Sequence, residues 1–228
     1  MNPTTRTLHT AAPLHIRESP NPEAPSRTIT GYAILFNTPS VVLYANDTEE
    51  AREIIAPEAI TRELLDGSDI KMTMFHDRQL ILARSNRGAG TLRYDIDERG
   101  VSFEFDAPHT ADGDKALELV RRGDIAGCSF MFSTRYRDKD FVAHSVTKDT
   151  DGRTIITYTV RAITGLYDFT LAADPAYPDT HCEARDLFAA LAAERRQAPD
   201  PGPTPDPEAD QLRRHQIAEM RRAAAASV

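Results

Sequence analysis

Between residues 27 and 173 the chain repeatedly alternates apolar and polar side chains, and a period of two fits a strand with one buried face, not a helix. The runs are 27–36 (RTITGYAILF), 70–75 (IKMTMF), 90–97 (GTLRYDID), 101–106 (VSFEFD), 127–137, 153–163 and 166–173. Together they predict a β-dominated body. Glu98-Arg99-Gly100 and Asp149-Thr150-Asp151-Gly152 carry turn chemistry between such runs, so neighbouring strands are expected to fold back as antiparallel hairpins. Two helices interrupt the pattern. Segment 57–66 has Pro57 in its first turn and Gly67 just past its end, and segment 110–122 begins on polar capping residues and stops at Gly123. The pattern predicts a β-barrel or curved sheet with peripheral helices.

The proline distribution sets the expected limits of this body. Of 15 prolines, Pro199, Pro201, Pro203, Pro205 and Pro207 alternate with small and acidic residues, a composition that allows neither a helix nor a central strand. Residues 198–207 are therefore read as a semi-rigid linker, following a short helix at 187–197 and preceding a helical tail at 208–228. Residues 1–26, with Pro3, Pro13, Pro20, Pro22 and Pro25, are read as a flexible arm. The folded domain is expected to span 27–186.

Charge and cysteine content exclude several function classes. The 27 Lys and Arg residues against 35 Asp and Glu leave a net charge of −8, which disfavours a protein that works by neutralising nucleic-acid phosphates. Cys128 and Cys182 are too few for a disulfide framework and match no metal-ligand spacing, so a reducing compartment is expected. No run approaches the roughly 20 apolar residues of a membrane span, and the first 25 residues lack the apolar core of a signal peptide. A soluble, non-secreted protein is expected.

Three segments place reactive groups in or beside strands. In 72–77 an apolar strand ends on His76, the side-chain type best suited to exchange protons near neutrality, although a strand-end histidine also serves purely structural roles. In 123–132 alternation sends Cys128, Phe130 and Phe132 to one face and Ser129, Met131 and Ser133 to the other. The aromatic face belongs in the core, so the thiol is expected to be inert and Ser129 to look towards the more polar side, as a nucleophile or as an ordinary strand serine. In 165–171, Tyr167, Phe169 and Leu171 form the apolar face while Asp168 and Thr170 share the other. Asp168 is then a solvated edge residue or, if the polar faces meet, the carboxylate that orients His76 against Ser129.

At these residues the sequence resembles the prohead protease family of tailed bacteriophages, capsid-maturation serine proteases related in fold to herpesvirus assemblin. The resemblance runs in order from Gly31-Tyr32-Ala33-Ile34-Leu35-Phe36-Asn37 through Glu53-Ile54-Ile55-Ala56-Pro57-Glu58-Ala59-Ile60, Phe75-His76-Asp77 and the strand pair of 90–106 to the segment 122–132. It ends on Leu166-Tyr167-Asp168-Phe169-Thr170-Leu171 and Asp174-Pro175-Ala176-Tyr177-Pro178. The family more often has Gly after Pro57 and Glu in place of Asp168.

The resemblance implies a closed antiparallel β-barrel ringed by helices, mainly β in class. It also implies a serine endopeptidase in which Ser129 is the nucleophile, His76 the base and Asp168 the acidic member. Arg161, on the run leading to Asp168, is the side-chain candidate for oxyanion stabilisation through a held water; backbone amides near Ser129 are the other, and a plain surface arginine is the alternative reading of Arg161. The implied substrates are scaffold, or the scaffold-like arm of the major capsid protein, and the enzyme itself. Cleavage would take place inside the immature head in the host cytoplasm. Capsid protein and scaffold are thus the expected partners, with self-association a further candidate, and no cofactor, metal, nucleic acid or membrane is called for. The tail at 208–228 is then either a packaging peptide removed by self-cleavage or a simple extension. The rival reading is a non-catalytic scaffold- or capsid-binding assembly protein on the same barrel.

Overall fold

A computed structural model describes residues 2–10, 12–19, 25–173 and 178–197. The linker at 198–207 and the tail at 208–228 lie outside the described residues. One compact unit comprises Met1–Ala189; the second, Ala190–Val228, is described only as the end of a helix, to Gln197.

Along the chain run β1 (Thr4–Thr10), β2 (His15–Ile16), β3 (Thr28–Leu35), β4 (Tyr44–Ala45) and β5 (Glu49–Ile55), then helix α1 (Arg62–Gly67). Next come β6 (Asp69–Met74), β7 (Asp77–Asn86), β8 (Ala89–Gly90), β9 (Arg93–Ile96), β10 (Gly100–Asp106) and α2 (Ala111–Arg122). The remainder is β11 (Gly127–Thr134), β12 (Val142–Lys148), β13 (Thr154–Val160), β14 (Gly165–Ala172) and α3 (Pro178–Gln197).

The strands form three open sheets, in the orders β1-β11-β14-β6-β7-β8, β2-β3-β10-β9 and β12-β13-β5-β4. The chain is therefore mainly β, as alternation predicts, but the closed antiparallel barrel is overturned. Among the described residues each sheet ends on two edge strands, and β14 pairs with β6, and β13 with β5, in parallel. The reason lies in what local chemistry controls. Turn residues dictate hairpins between successive strands, whereas joining β6 to β14 or β5 to β13 depends on pairings across about a hundred residues that no turn specifies. The expected hairpins do form: Asp97 Oδ1 accepts the N–H groups of Arg99 and Gly100 between β9 and β10, and Gly152 N–H donates to Asp149 O at 3.1 Å between β12 and β13.

Helices α1 and α2 each begin on a threonine cap. Thr61 Oγ1 accepts Leu64 N–H at 3.1 Å and Thr110 Oγ1 accepts Gly113 N–H at 3.2 Å, each satisfying one of the orphan donors of a first turn. Helix α2 stops at Gly123, whose φ of 78° lets its N–H reach back to the Leu119 and Val120 carbonyls, a left-handed stop that costs glycine nothing. Helix α3 begins at Pro178, so it runs through the domain limit expected at 186.

The core is built from the apolar faces that alternation singles out. Phe105, Phe130, Phe132 and Phe169 are fully buried beside Ile29, Met72 and Met74, and the Phe130 and Phe132 rings stack at 5.3 Å. Each such side chain contributes about 1.5–3 kcal/mol on leaving water. This burial fixes the register of β11 and β14, and thereby decides which residues look away from the core.

The N-terminal segment departs from the expected arm. Thr4–Thr10 forms β1, the edge strand antiparallel to β11 from Thr4↔Thr134 to Thr10↔Cys128. Its alternation is masked because the inward-facing positions are Arg6 and Thr10 as well as Leu8, all three buried.

Candidate active site

The site is assembled by the register of the six-stranded sheet. Ser129 on β11 pairs with Thr170 on β14, and Met131 pairs with Asp168. Paired residues project to one side, and residues two apart along a strand do the same, so Ser129 and Asp168 stand diagonally on a common face. Between Asp168 and Leu166 the register slips by one at Tyr167, a bulge that begins only beyond the Asp168 pair and leaves this face intact. Across β14, Thr170 is matched in parallel by Thr73 of β6.

His76 arrives from the turn that follows β6. Met74 pairs with Asp77, leaving Phe75 and His76 as a two-residue loop, both with φ of 57°. Two left-handed residues are the backbone of a type I′ hairpin turn, normally given to Asn or Gly, and holding a Phe and a His there costs of order 1 kcal/mol each. Neighbouring groups hold the turn in place. Phe75 N–H donates to Leu171 O at 3.2 Å and His76 N–H donates to Thr170 Oγ1 at 2.9 Å. Thr73 Oγ1 also donates to Thr170 Oγ1, at 2.9 Å.

With the main chain so fixed, the imidazole spans the diagonal. His76 Nδ1 lies 2.9 Å from Asp168 Oδ1, and Nε2 lies 3.0 Å from Ser129 Oγ. Asp168 is 2% and Ser129 5% exposed, while the His76 side chain keeps 16% of its surface open. The carboxyl group is thus screened from water, its Oδ2 has no hydrogen-bond partner, and its Oδ1 meets the imidazole. Such an arrangement can draw a proton from a hydroxyl and hold the resulting imidazolium.

Cys128, the rival thiol, points into the core and is fully buried, and burial pushes it well above its ordinary range. It is held as an unreactive thiol. Arg161 is exposed just past β13, its N–H donating to Phe141 O at 2.7 Å. Gly165 already lies opposite Ser133, about 13 Å of strand from Ser129, and Arg161 is further back along the chain. The structure brings His76, Ser129 and Asp168 together, and the side-chain hydrogen bonds of these three do not involve Arg161. Among the described residues, no cluster of three or more His, Cys, Asp or Glu side chains could hold a metal ion.

Two contributors escape sequence reasoning. Thr170 positions the His76 main chain, and its place beside Asp168 on the polar face was the available signal. The Leu8 carbonyl, which accepts from Ser129 Oγ at 3.0 Å, gave none, because a main-chain group has no residue signature.

No curated protein sequence matches the chain. Among solved structures, the capsid assembly protease gp21 of bacteriophage T4 is similar at 13% identity and a TM-score of 0.40, over 75% of this chain and 100% of that one, a likeness too distant to bear on the site. A family model does match, over residues 13–192, a span that contains β2 through most of α3 and all three residues of the cluster. The chain belongs to the caudovirus prohead serine proteases.

Proposed function

We propose that this capsid-maturation protease works through Ser129, His76 and Asp168. Ser129 Oγ attacks the carbonyl carbon of the scissile peptide while His76 Nε2 takes its proton. The same nitrogen then returns the proton to the departing amine. Water then attacks the acyl carbon while giving a proton to His76 Nε2, which returns it to Ser129 Oγ as the bond from the acyl group to that oxygen breaks. Asp168 Oδ1 accepts from Nδ1–H throughout, fixing the tautomer that leaves Nε2 free to act as base and stabilising the imidazolium. The observation that carries this reading is the bridging of Asp168 and Ser129 by one imidazole, at 2.9 and 3.0 Å, on a face with a buried carboxylate.

The substrates in this reading are scaffold, or the scaffold-like arm of the major capsid protein, inside the immature head, with the enzyme's own tail at 208–228 as a further target. Family membership supports a prohead setting, and no helix among the described residues is long and apolar enough to cross a membrane. Co-expression with the capsid precursor tests it. Intact mass should show cleaved precursor with the wild type and full-length precursor with Ser129→Ala, and a fluorophosphonate should attach to Ser129 in the wild type far faster than in His76→Ala. Uncut precursor and unlabelled Ser129 in assembled wild-type proheads would overturn the reading.

A further inference from the structure

We infer that β1 is an intramolecular occupant of the strand position beside Ser129, and that cleavage requires this strand to leave. The inference rests on the serine-protease reading of the site.

Ser129 Oγ lies 3.0 Å from Leu8 O, which can only accept, and 3.0 Å from His76 Nε2, which must accept to act as base. A hydroxyl has one proton to give. If it goes to Leu8 O, the contact with Nε2 survives only when Nε2 carries a proton, and Nδ1 facing the Asp168 carboxylate carries one as well. That ring is an imidazolium and cannot act as base. If the proton goes to Nε2, the Leu8 carbonyl loses the Ser129 hydroxyl as a donor and the two oxygens face each other at 3.0 Å. The docked strand and the base therefore compete for the same proton, and removing Leu8 O settles the competition in favour of His76.

The Leu8 carbonyl is seated for hydrogen bonding, not for attack. A scissile carbonyl must offer its carbon to Oγ with its oxygen turned towards separate donors, whereas here the oxygen itself points at Oγ. β1 thus blocks without being cut in this pose. It is also the edge strand of its sheet, so its departure bares the β11 main chain to another extended peptide, the usual way a strand edge captures a ligand.

The strand is latched on either side of Leu8. Thr10 Oγ1 donates to Ala33 O at 2.6 Å. Arg6 Nη1 meets Glu53 Oε2 at 3.1 Å and donates to Tyr136 Oη at 3.0 Å, Tyr136 Oη donates to Glu53 Oε1 at 2.6 Å, and the guanidinium lies 4.7 Å from the Phe188 ring centre. The Arg6 group is nevertheless incompletely satisfied, since its buried Nε and Nη2 have no partner. Burial also pushes the Glu53 carboxyl above its ordinary range despite the pull of Arg6. The buried pair holds the segment in register, and detaching β1 takes Arg6 from Glu53, so the Glu53 carboxyl must then meet water or take up a proton.

Two full-length variants test this. Thr7 and Met131 are partners across β1 and β11, so Thr7→Cys/Met131→Cys can be oxidised to lock the strand in place. Capsid-precursor cleavage and fluorophosphonate labelling of Ser129 should fall at least about tenfold on oxidation and return on reduction. Conversely, Thr7→Pro/Leu8→Pro breaks the β1 ladder without touching β11, and should raise both rates at least about tenfold. Equal rates in the oxidised and reduced protein, with the crosslink verified by mass, overturn the blocking strand while leaving the protease reading intact, as does a folded proline variant with wild-type rates. Absence of cleavage and labelling in the wild type and in every variant overturns the protease reading, and this inference with it.

Discussion

Ser129 and Asp168 stand on neighbouring strands but are not opposite each other: Ser129 faces Thr170, Asp168 faces Met131, and the His76 ring joins the two across the diagonal. The arrangement demands little of the sheet itself, since any two in-register strands offer such a diagonal. What it demands is a histidine delivered from outside the sheet plane, and the left-handed pair Phe75-His76 performs that delivery.

The first prediction concerns the charge behind the ring. Asp168→Asn keeps the shape but removes the carboxylate that selects the tautomer, so kcat for peptide cleavage should fall about 10³–10⁴-fold with KM little changed. Asp168→Glu restores the charge, but its extra methylene has no room at a position only 2% exposed. Displacement of the ring should leave it intermediate, roughly 10–100-fold below wild type. Steady-state kinetics on one peptide substrate check both; an Asn variant within a few-fold of wild type would remove Asp168 from the mechanism.

The second separates the adjacent nucleophiles. Cys128 lies in the core with its thiol pushed up by burial, so Cys128→Ala should retain near wild-type cleavage and lose only about 1 kcal/mol of stability for the vacated volume. Peptide mapping after brief native alkylation should find Cys128 unmodified. Loss of activity in Cys128→Ala with unchanged folding would shift the nucleophile to the thiol.

The third concerns Thr170, whose hydroxyl accepts from both the His76 N–H and Thr73 Oγ1. Thr170→Val strips two buried donors of their partner, an expected loss of about 1–3 kcal/mol in denaturant unfolding. Because the same bond anchors the turn, kcat should drop more than KM rises, whereas Thr170→Ser should rescue both readouts. Rescue of stability without rescue of kcat would show that Thr170 has no part in positioning the histidine.

How far these features could be read in the sequence differs by element. That Ser129 and Asp168 each look away from the aromatic face follows from period-two alternation, because Phe130, Phe132 and Phe169 take the core side, but that the two strands are neighbours comes only from the sheet register. The approach of His76 does not follow, since nothing local says that β6 will lie parallel to β14. β5 and β7 were not anticipated as strands, and β12 only as the run before the Asp149–Gly152 turn, without bounds. The pattern EEAREII of β5 buries Glu49 and Glu53, so its inward face looks polar until Arg6 is found opposite, and VAHSVTK of β12 has six of its seven residues outside the core. The same reversal hid β1. A strand whose inward face includes charged or hydroxyl side chains is recognised only through its partners.

The last prediction concerns pH. Asp69, at the start of β6, accepts from Arg84 through both of its oxygens, at 2.6 and 2.8 Å, and from Lys71 at 2.8 Å. Hydrogen bonds first from Arg84 and then from Lys71 hold its carboxyl well below the usual carboxylate range. The folded value is depressed, so the folded state binds this proton less readily than the unfolded chain, whose aspartates titrate near 3.9. The contribution to stability is therefore fully present above about pH 4–5 and is lost as pH falls from there towards the folded value. The Asp69 side chain is 38% exposed and solvent screens the pair, so the contribution should be about 0.5–1 kcal/mol. In urea titrations Asp69→Asn should be less stable than wild type by that amount at pH 7, and the gap should close progressively below pH 4. A gap that stays constant down to pH 2, or widens in acid, would show that Asp69 stabilises the protein by something other than its ionised carboxylate.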